Sequence, residues 1–333
     1  MTNNKILIIG GLGFIGFHLA KRLANQFEVF VIDALINYIP NNYNTWQYYV
    51  KYRQKILKDL NVTFYIEDVQ QASFKSLLTT LRPDIVINAA SMPVALLADI
   101  NPKHAKNDIF DAHFNVLESI RTSSITLERY VYLSSSMVYG NFFRDEQGNI
   151  LPASENQECL PIDTYGAFKL ANEILVKQYG FRYKIPYVII RPSAVYGPTD
   201  CNLRVTEIFL HQGFQEGTIK LDNGGQHKLD FTYIDDLVDG IMAALISPNA
   251  LNQVFNISYG VGRKISELAQ IVKNLFPSVK IVTNDCIPFR PNRGAMNIDK
   301  AKQLLSYNPS FSLEKGMQQY CEFVKQHIKN YSL

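Results

Sequence analysis

Short continuous apolar runs, each followed by a segment long enough for a helix, constrain the fold of this chain more than any other feature. They read KILIIG (5–10), EVFVID (28–33), VTFYIED (62–68), DIVINAA (84–90), RYVYLSS (129–135) and PYVIIRP (186–192). The runs are rich in Val and Ile and do not alternate apolar with polar, which is the pattern of strands covered on both faces. Strands of that kind separated by helices imply a parallel sheet wound with helices on both sides. The regularity loosens after residue 192, where turn-forming pieces such as YGPTDCN and LDNGGQH alternate with short helical stretches. We therefore expect one domain over 1–192 and a smaller α/β lobe over 193–333. The stretch 230–246, DFTYIDDLVDGIMAALI, has the spacing of a core-packed helix, so 230–257 is expected to return to the first domain. Segment 34–60 is long and aromatic, with a helix expected from about residue 45.

Composition narrows the functional classes. Apolar residues make up 47% and charged residues 19% of the chain, a globular balance. Lys and Arg exceed Asp and Glu by only 33 to 30, and no basic stripe appears, which argues against a nucleic-acid partner. No stretch is long enough to span a bilayer, and the first apolar run is too short for a signal segment. The expectation is a soluble cytoplasmic protein with no membrane partner. Cys159, Cys201, Cys286 and Cys321 form no C-x-x-C, and the histidines form no HExxH, so neither a disulfide framework nor a metal site is expected.

The first strand runs into IIGGLGFIGFHLAKRL. Gly10, Gly13 and Gly16 recur every third residue across a turn that opens a helix. The first two let backbone approach a pyrophosphate, and the third lets helix and strand pack closely. With Phe14 and Ile15 they place free helix N–H groups at the phosphates. The second strand ends in Asp33, a carboxylate suited to the two ribose hydroxyls of NAD and repulsive to the 2′-phosphate of NADP. This is a Rossmann-type cradle, and NAD is the expected cofactor. His18, on the helix after the glycines, is expected to be packed rather than reactive.

In DTYGAFKLANEIL (163–175), Tyr165 and Lys169 stand four residues apart and share a helix face. A free phenol titrates near pH 10 and is a poor base, but an adjacent ammonium should favour the phenolate. Such a pair can move a proton on and off a hydroxyl while a dinucleotide exchanges a hydride.

The ordered set GGLGFIG, LSSSMVYG, YGAFK, RPSAVYGP, LDFTYIDDLVDGI and RPNRGAMNIDKAKQLLSYNP resembles the extended short-chain dehydrogenases/reductases. Within them it is similar to the nucleotide-sugar epimerase/dehydratase branch, including UDP-glucose and UDP-glucuronate 4-epimerase-like members. The resemblance implies Ser135, Tyr165 and Lys169 as the catalytic set. It implies that Asp68 and Val69 hold the adenine, that Asn88, Ala89 and Ala90 line the cofactor, and that Pro192 lies at the nicotinamide end. For the substrate it implies Met92, Ser136, Met137, Ser193 and Arg290, with Arg204 as a second arginine. Three positions depart from the family pattern, at Leu229, Ala194 and Ile109, and they bear on the sugar and its nucleotide more than on the cofactor.

Dehydratases and decarboxylases of this branch carry acids directly after the catalytic Ser/Thr; here those positions are Ser136 and Met137. The resemblance therefore implies 4-epimerisation of a nucleotide-diphosphate sugar, a UDP-hexose or UDP-uronic acid being favoured, by a homodimer joined through two helices of each subunit. The alternatives are a 2- or 3,5-epimerase, a reductase or a dehydratase, and outside enzymes a non-catalytic NAD(H)-sensing protein.

Overall fold

The computed structural model of the protein describes residues 4–285 and 290–328. Cys286 lies outside the described residues, and the other three cysteines are free thiols. The first half runs β1 (Lys5–Ile9), α1 (Phe14–Leu23), β2 (Glu28–Asp33), α2 (Tyr43–Asp59), β3 (Thr63–Ile66), α3 (Ser73–Leu81) and β4 (Ile85–Asn88). It continues through α4 (Ala95–Ile100), α5 (Pro102–Ala105), α6 (Ala112–Thr122), β5 (Arg129–Leu133), α7 (Thr164–Tyr183) and β6 (Tyr187–Pro192). Then come β7 (Val195–Tyr196), α8 (Val205–Phe214), β8 (Thr218–Asp222), β9 (Lys228–Asp230), β10 (Thr232–Tyr233) and α9 (Ile234–Ile246). The last elements are β11 (Gln253–Ile257), β12 (Gly262–Lys264), α10 (Ile265–Leu275), β13 (Lys280–Asn284), α11 (Asp299–Leu305) and α12 (Leu313–His327).

Seven strands form one parallel sheet in the order β11-β6-β5-β4-β1-β2-β3. The fold is α/β and Rossmann-like. Alternate residues of each strand feed opposite cores: Ile6, Ile8, Val29 and Val31 face one layer of helices, and Leu7, Ile9, Phe30 and Ile32 face the other. The strand order reverses between β1 and β4, where Ile9 lies opposite Asn88. Loops leaving these two strands diverge to opposite sides, which opens a crevice at their C-terminal ends.

Two expectations need correction. VTFYIED is not a strand buried on both faces: β3 is the sheet edge, with Thr63 and Ile66 exposed. An apolar run cannot report whether a second neighbour will pair with it. Nor is 230–246 one helix. Asp230 accepts hydrogen bonds from Ser258 Oγ (2.9 Å) and from the N–H groups of Gly260 (3.1 Å) and Met296 (2.9 Å). Those long-range donors hold its backbone extended in β9, β10 pairs with β7, and the helix begins only at Ile234. Asp235 and Asp236 then sit in its first turn, where the helix dipole favours acids. β11 follows and pairs in parallel with β6 at the sheet's other edge.

The aromatic segment after β2 begins its helix at Tyr43. Tyr49 stacks on Phe323 of α12 at 6.2 Å between ring centroids, and Tyr52 meets the same ring edge-on at 6.0 Å. α12 is thereby pinned over α2. No helix among the described residues is long and apolar enough to cross a membrane.

Candidate active site

A cavity of about 1440 Å³ follows the crevice and continues along α8 and the segment between β8 and β9. Its floor is the turn after β1. Gly10 has φ +76°, and a Cβ there would stand 2.7 Å from the Ala90 nitrogen. At Gly16 a Cβ would lie 2.2 Å from the Gly10 carbonyl oxygen, so only glycine lets α1 start this close to the strand. The start of α1, at Gly13, carries no side-chain cap, and Phe14 and Ile15 line the cavity. An uncapped helix start facing a cavity presents N–H groups and positive dipole to an anion.

Asp33 stands at the end of β2 and accepts from the N–H groups of Leu12 (2.9 Å) and Leu35 (2.8 Å). Burial pushes its pKa up, and these donors together with Arg53 oppose that shift. Arg53, from α2, was not singled out in the sequence. It is 2% exposed, donates to the Leu12 carbonyl at 2.8 Å and to the Thr199 carbonyl, and so ties the glycine turn to the loop after β7. Its only trace in the sequence is that it is one of the cations in the aromatic run WQYYVKYR.

Asp68 bends the chain after β3 by accepting from the Gln70 N–H at 2.9 Å, and Val69 is held through its carbonyl by Asn115. Both line the cavity, as do Ala89, Ala90, Met92 and Pro192. Asn88 and Ser193 do not. The Asn88 side chain turns into the protein, donating to Tyr130 Oη at 3.1 Å and accepting from the Ala90 N–H at 3.2 Å. It shapes the wall from behind. Ser193 is buried between Pro192 and Ala194, which do reach the cavity. His18 is packed, with its ring against Phe14 and Phe17 and its Nε2 on the Pro198 carbonyl at 2.9 Å.

The three serines after β5 have three different partners. Ser134 Oγ donates to Glu173 Oε1 at 2.6 Å, inside the protein. Ser135 accepts from the Met137 N–H at 3.2 Å, and its hydroxyl lies by the Tyr165 phenol, whose ionised form it favours. Ser136 Oγ faces Arg293 Nη1 at 3.4 Å. Asp163 caps α7 by accepting from the Gly166 N–H at 2.8 Å, which fixes the helix that carries Tyr165 and Lys169. Lys169 Nζ donates to the Leu133 carbonyl at 2.8 Å and lies 5.7 Å from the Tyr165 ring centroid.

The electrostatics differ from the expectation that Lys169 lowers the Tyr165 pKa. Burial raises Tyr165, and what opposes the rise is the Arg204 charge and the Ser135 hydrogen bond. Lys169 is itself buried, and its pKa falls from 10.5 to about 7 despite Glu173 nearby. Desolvation penalises the ammonium more than one neighbour restores it. A base with its folded pKa depressed opposes folding most below pH 7, where both states are protonated. The opposition fades as pH rises from 7 to 10.5, because there the unfolded chain binds the extra proton. Lys169→Met should therefore be more stable than the parent at pH 6. Its advantage should shrink by about 1.4 kcal/mol per pH unit through that window in paired thermal melts. A constant difference from pH 6 to 10 would refute the shift.

Arg204, His227, Arg290 and Arg293 also line the cavity. Arg204 donates to the carbonyls of Val195 (3.1 Å) and Pro93 (3.2 Å). Burial pushes His227 down to about 4, so it is neutral. Leu229 is buried on the wall and Lys228 is exposed. Ser91, Asp163, His227 and Arg293, which line the cavity, each hold a buried polar atom without a hydrogen-bond partner among the described residues. Polar atoms left unpaired in a cavity are suited to a polar ligand. The glycine cradle and Asp33 fit a dinucleotide, and Ser135, Tyr165 and Lys169 at its inner end fit proton transfer.

That combination defines an NAD-dependent enzyme, and the chain belongs to the NAD dependent epimerase/dehydratase family, whose profile its residues 6–258 match. Among its relatives is the uncharacterized UDP-glucose epimerase YtcB of Bacillus subtilis, 31% identical over 318 residues that cover 94% of this chain and 95% of that one. A dTDP-D-glucose 4,6-dehydratase of Dictyostelium discoideum is 29% identical over 79% of this chain and 60% of its own. The crystal structure of UDP-glucuronic acid 4-epimerase from Bacillus cereus, in complex with UDP-glucuronic acid and NAD, superposes with a TM-score of 0.84. The two are 27% identical, with 97% of this chain and 99% of that one covered.

Proposed function

We propose that this enzyme interconverts the C4 epimers of a nucleotide-diphosphate sugar, a UDP-hexose or UDP-uronic acid. The observation that carries the reading is the chain after β5. Ser135 meets Tyr165, while the next two residues to face the cavity, Ser136 and Met137, hold no ionisable group. Gly10, Gly13, Phe14, Ile15, Gly16, Asp33, Asp68, Val69, Ala89 and Ala90 would hold the cofactor along the crevice. NAD, when bound, supplies reversible hydride exchange at the sugar carbon.

Tyr165, once ionised against the burial that raises its pKa, takes the proton of the C4 hydroxyl, directly or through Ser135, and returns it to the oxygen of the 4-keto sugar. Lys169, anchored by the Leu133 carbonyl, orients the Tyr165 ring edge and the ribose beside it. Met92 and Met137 give the wall a flexible apolar surface on which the keto sugar can present its other face. Incubating the purified protein with a panel of nucleotide sugars and following C4 by NMR tests the reading. Interconversion of a UDP-sugar pair is expected. Conversion confined to sugars of another nucleotide would remove the UDP assignment, and a 4-keto-6-deoxy product would replace epimerisation by dehydration.

The assembly we propose is a homodimer through α6 and α7, which pack side by side. They leave Phe114 (43%), Ile174 (59%) and Phe181 (75%) exposed, an apolar surface that suits burial against a second copy. Light scattering should give twice the chain mass for the parent and the chain mass for the double variant Ile174→Glu, Phe181→Glu. A monomeric parent would exclude the dimer.

A further inference from the structure

We propose that Arg293 reads an anionic group on the sugar itself, the C6 carboxylate of a UDP-hexuronate, and so sets the substrate class of the proposed epimerase. The inference rests on the nucleotide-sugar reading above.

The residue lies in the segment between β13 and α11, 157 positions from the serine it approaches. Its Nη1 stands 3.4 Å from Ser136 Oγ, and its Nε is buried with no hydrogen-bond partner among the described residues. The carboxylate that steadies its charge is Asp163, but the two groups do not close on each other. Asp163 spends Oδ1 on the Gly166 N–H, and its Oδ2 is also buried without a partner. A guanidinium has five N–H donors in a planar fork that matches a carboxylate. Holding its Nε–H out of water unspent is unfavourable unless a ligand completes the fork.

Position decides which oxyanion. Ser136 directly follows Ser135, whose hydroxyl meets Tyr165, so Arg293 stands at the reacting end of the sugar. In a hexuronate the carboxylate is borne on C5, the carbon next to C4, whereas the diphosphate leaves from C1 across the ring. Arg290, exposed at the rim, is a separate cation for the diphosphate. His227 between them is neutral and does not compete for the anion.

Titration calorimetry with NAD present, using UDP, UDP-glucose and UDP-glucuronate, tests the assignment on the parent, Arg293→Gln and Arg293→Lys. The parent should bind UDP-glucuronate about 10- to 100-fold more tightly than UDP-glucose, the range of a charge-assisted pair. Arg293→Gln should collapse that ratio and Arg293→Lys should restore part of it. A parent with no preference overturns the inference even if UDP-glucose is epimerised, and this outcome needs no variant to fold. Equal losses for all three ligands in Arg293→Gln also overturn it, and assign the residue to the diphosphate. Failure of all three ligands to bind the parent removes the nucleotide-sugar reading, and this inference with it.

Discussion

Tyr165→Phe is expected to lower turnover in the C4 NMR assay by about 10²- to 10⁴-fold, the usual contribution of a positioned acid–base group. The substitution deletes one oxygen and leaves the ring, so packing beside Lys169 and the α7 cap at Asp163 should survive. Thermal melting and NAD binding should stay close to the parent. The expected loss is large because the neighbouring base, Lys169, is committed to the Leu133 carbonyl at 2.8 Å. Ser135 is the hydroxyl that meets Tyr165, and it is no base at neutral pH without a partner to take its proton. His113, the nearest imidazole behind Lys169, is buried with its pKa pushed down to about 3 and does not line the cavity. A variant retaining a tenth or more of parental turnover would place the proton transfer elsewhere. One retaining full biological effect without turnover would favour an NAD(H)-sensing role.

The second large effect concerns stability. Glu173 is 0% exposed and holds Arg191 by two bonds, Arg191 Nε to Oε1 at 2.9 Å and Nη2 to Oε2 at 2.7 Å, while also accepting from Ser134. Arg191 lies in β6, is itself 2% exposed, and donates from Nη1 to Tyr139 Oη at 2.9 Å. Glu173→Ala would leave that guanidinium buried without its counter-charge, at a cost of roughly 3–5 kcal/mol. For a chain of this size that corresponds to a fall in Tm on the order of 10 °C. The double variant Glu173→Ala, Arg191→Met should recover part of the loss, because two absent charges are less unfavourable than one unpaired charge. Chemical denaturation of the three proteins would show it. A single variant within about 1 kcal/mol of the parent would mean that water reaches the pair.

Proton transfer and stability meet at one strand end. Ser134 serves the Glu173–Arg191 pair, Ser135 serves Tyr165, and Ser136 faces Arg293. The sequence marks LSSSMVYG as a strand end rich in hydroxyls. It does not assign the hydroxyls, since their partners come from α7 and from the segment before α11.

What the sequence by itself determined is what depends on a few neighbouring residues. Continuous apolar runs set the strands, as at KILIIG and EVFVID. Glycine at every third position set the turn that no Cβ would allow. Spacing by four put Tyr165 and Lys169 on one helix face. The tertiary structure alone decided the charges and the late contacts. Arg53 reaches Thr199 and Arg293 reaches Ser136 across more than a hundred residues, and Asp230 recruits donors from two later segments that stop a helix from starting early. Lys169 falls to about pH 7 because of how deeply its neighbours bury it. Backbone sterics and side-chain period act locally and are legible in order along the chain. Desolvation and ion pairing depend on which distant groups share a small volume, and that is settled only when the chain has closed around it.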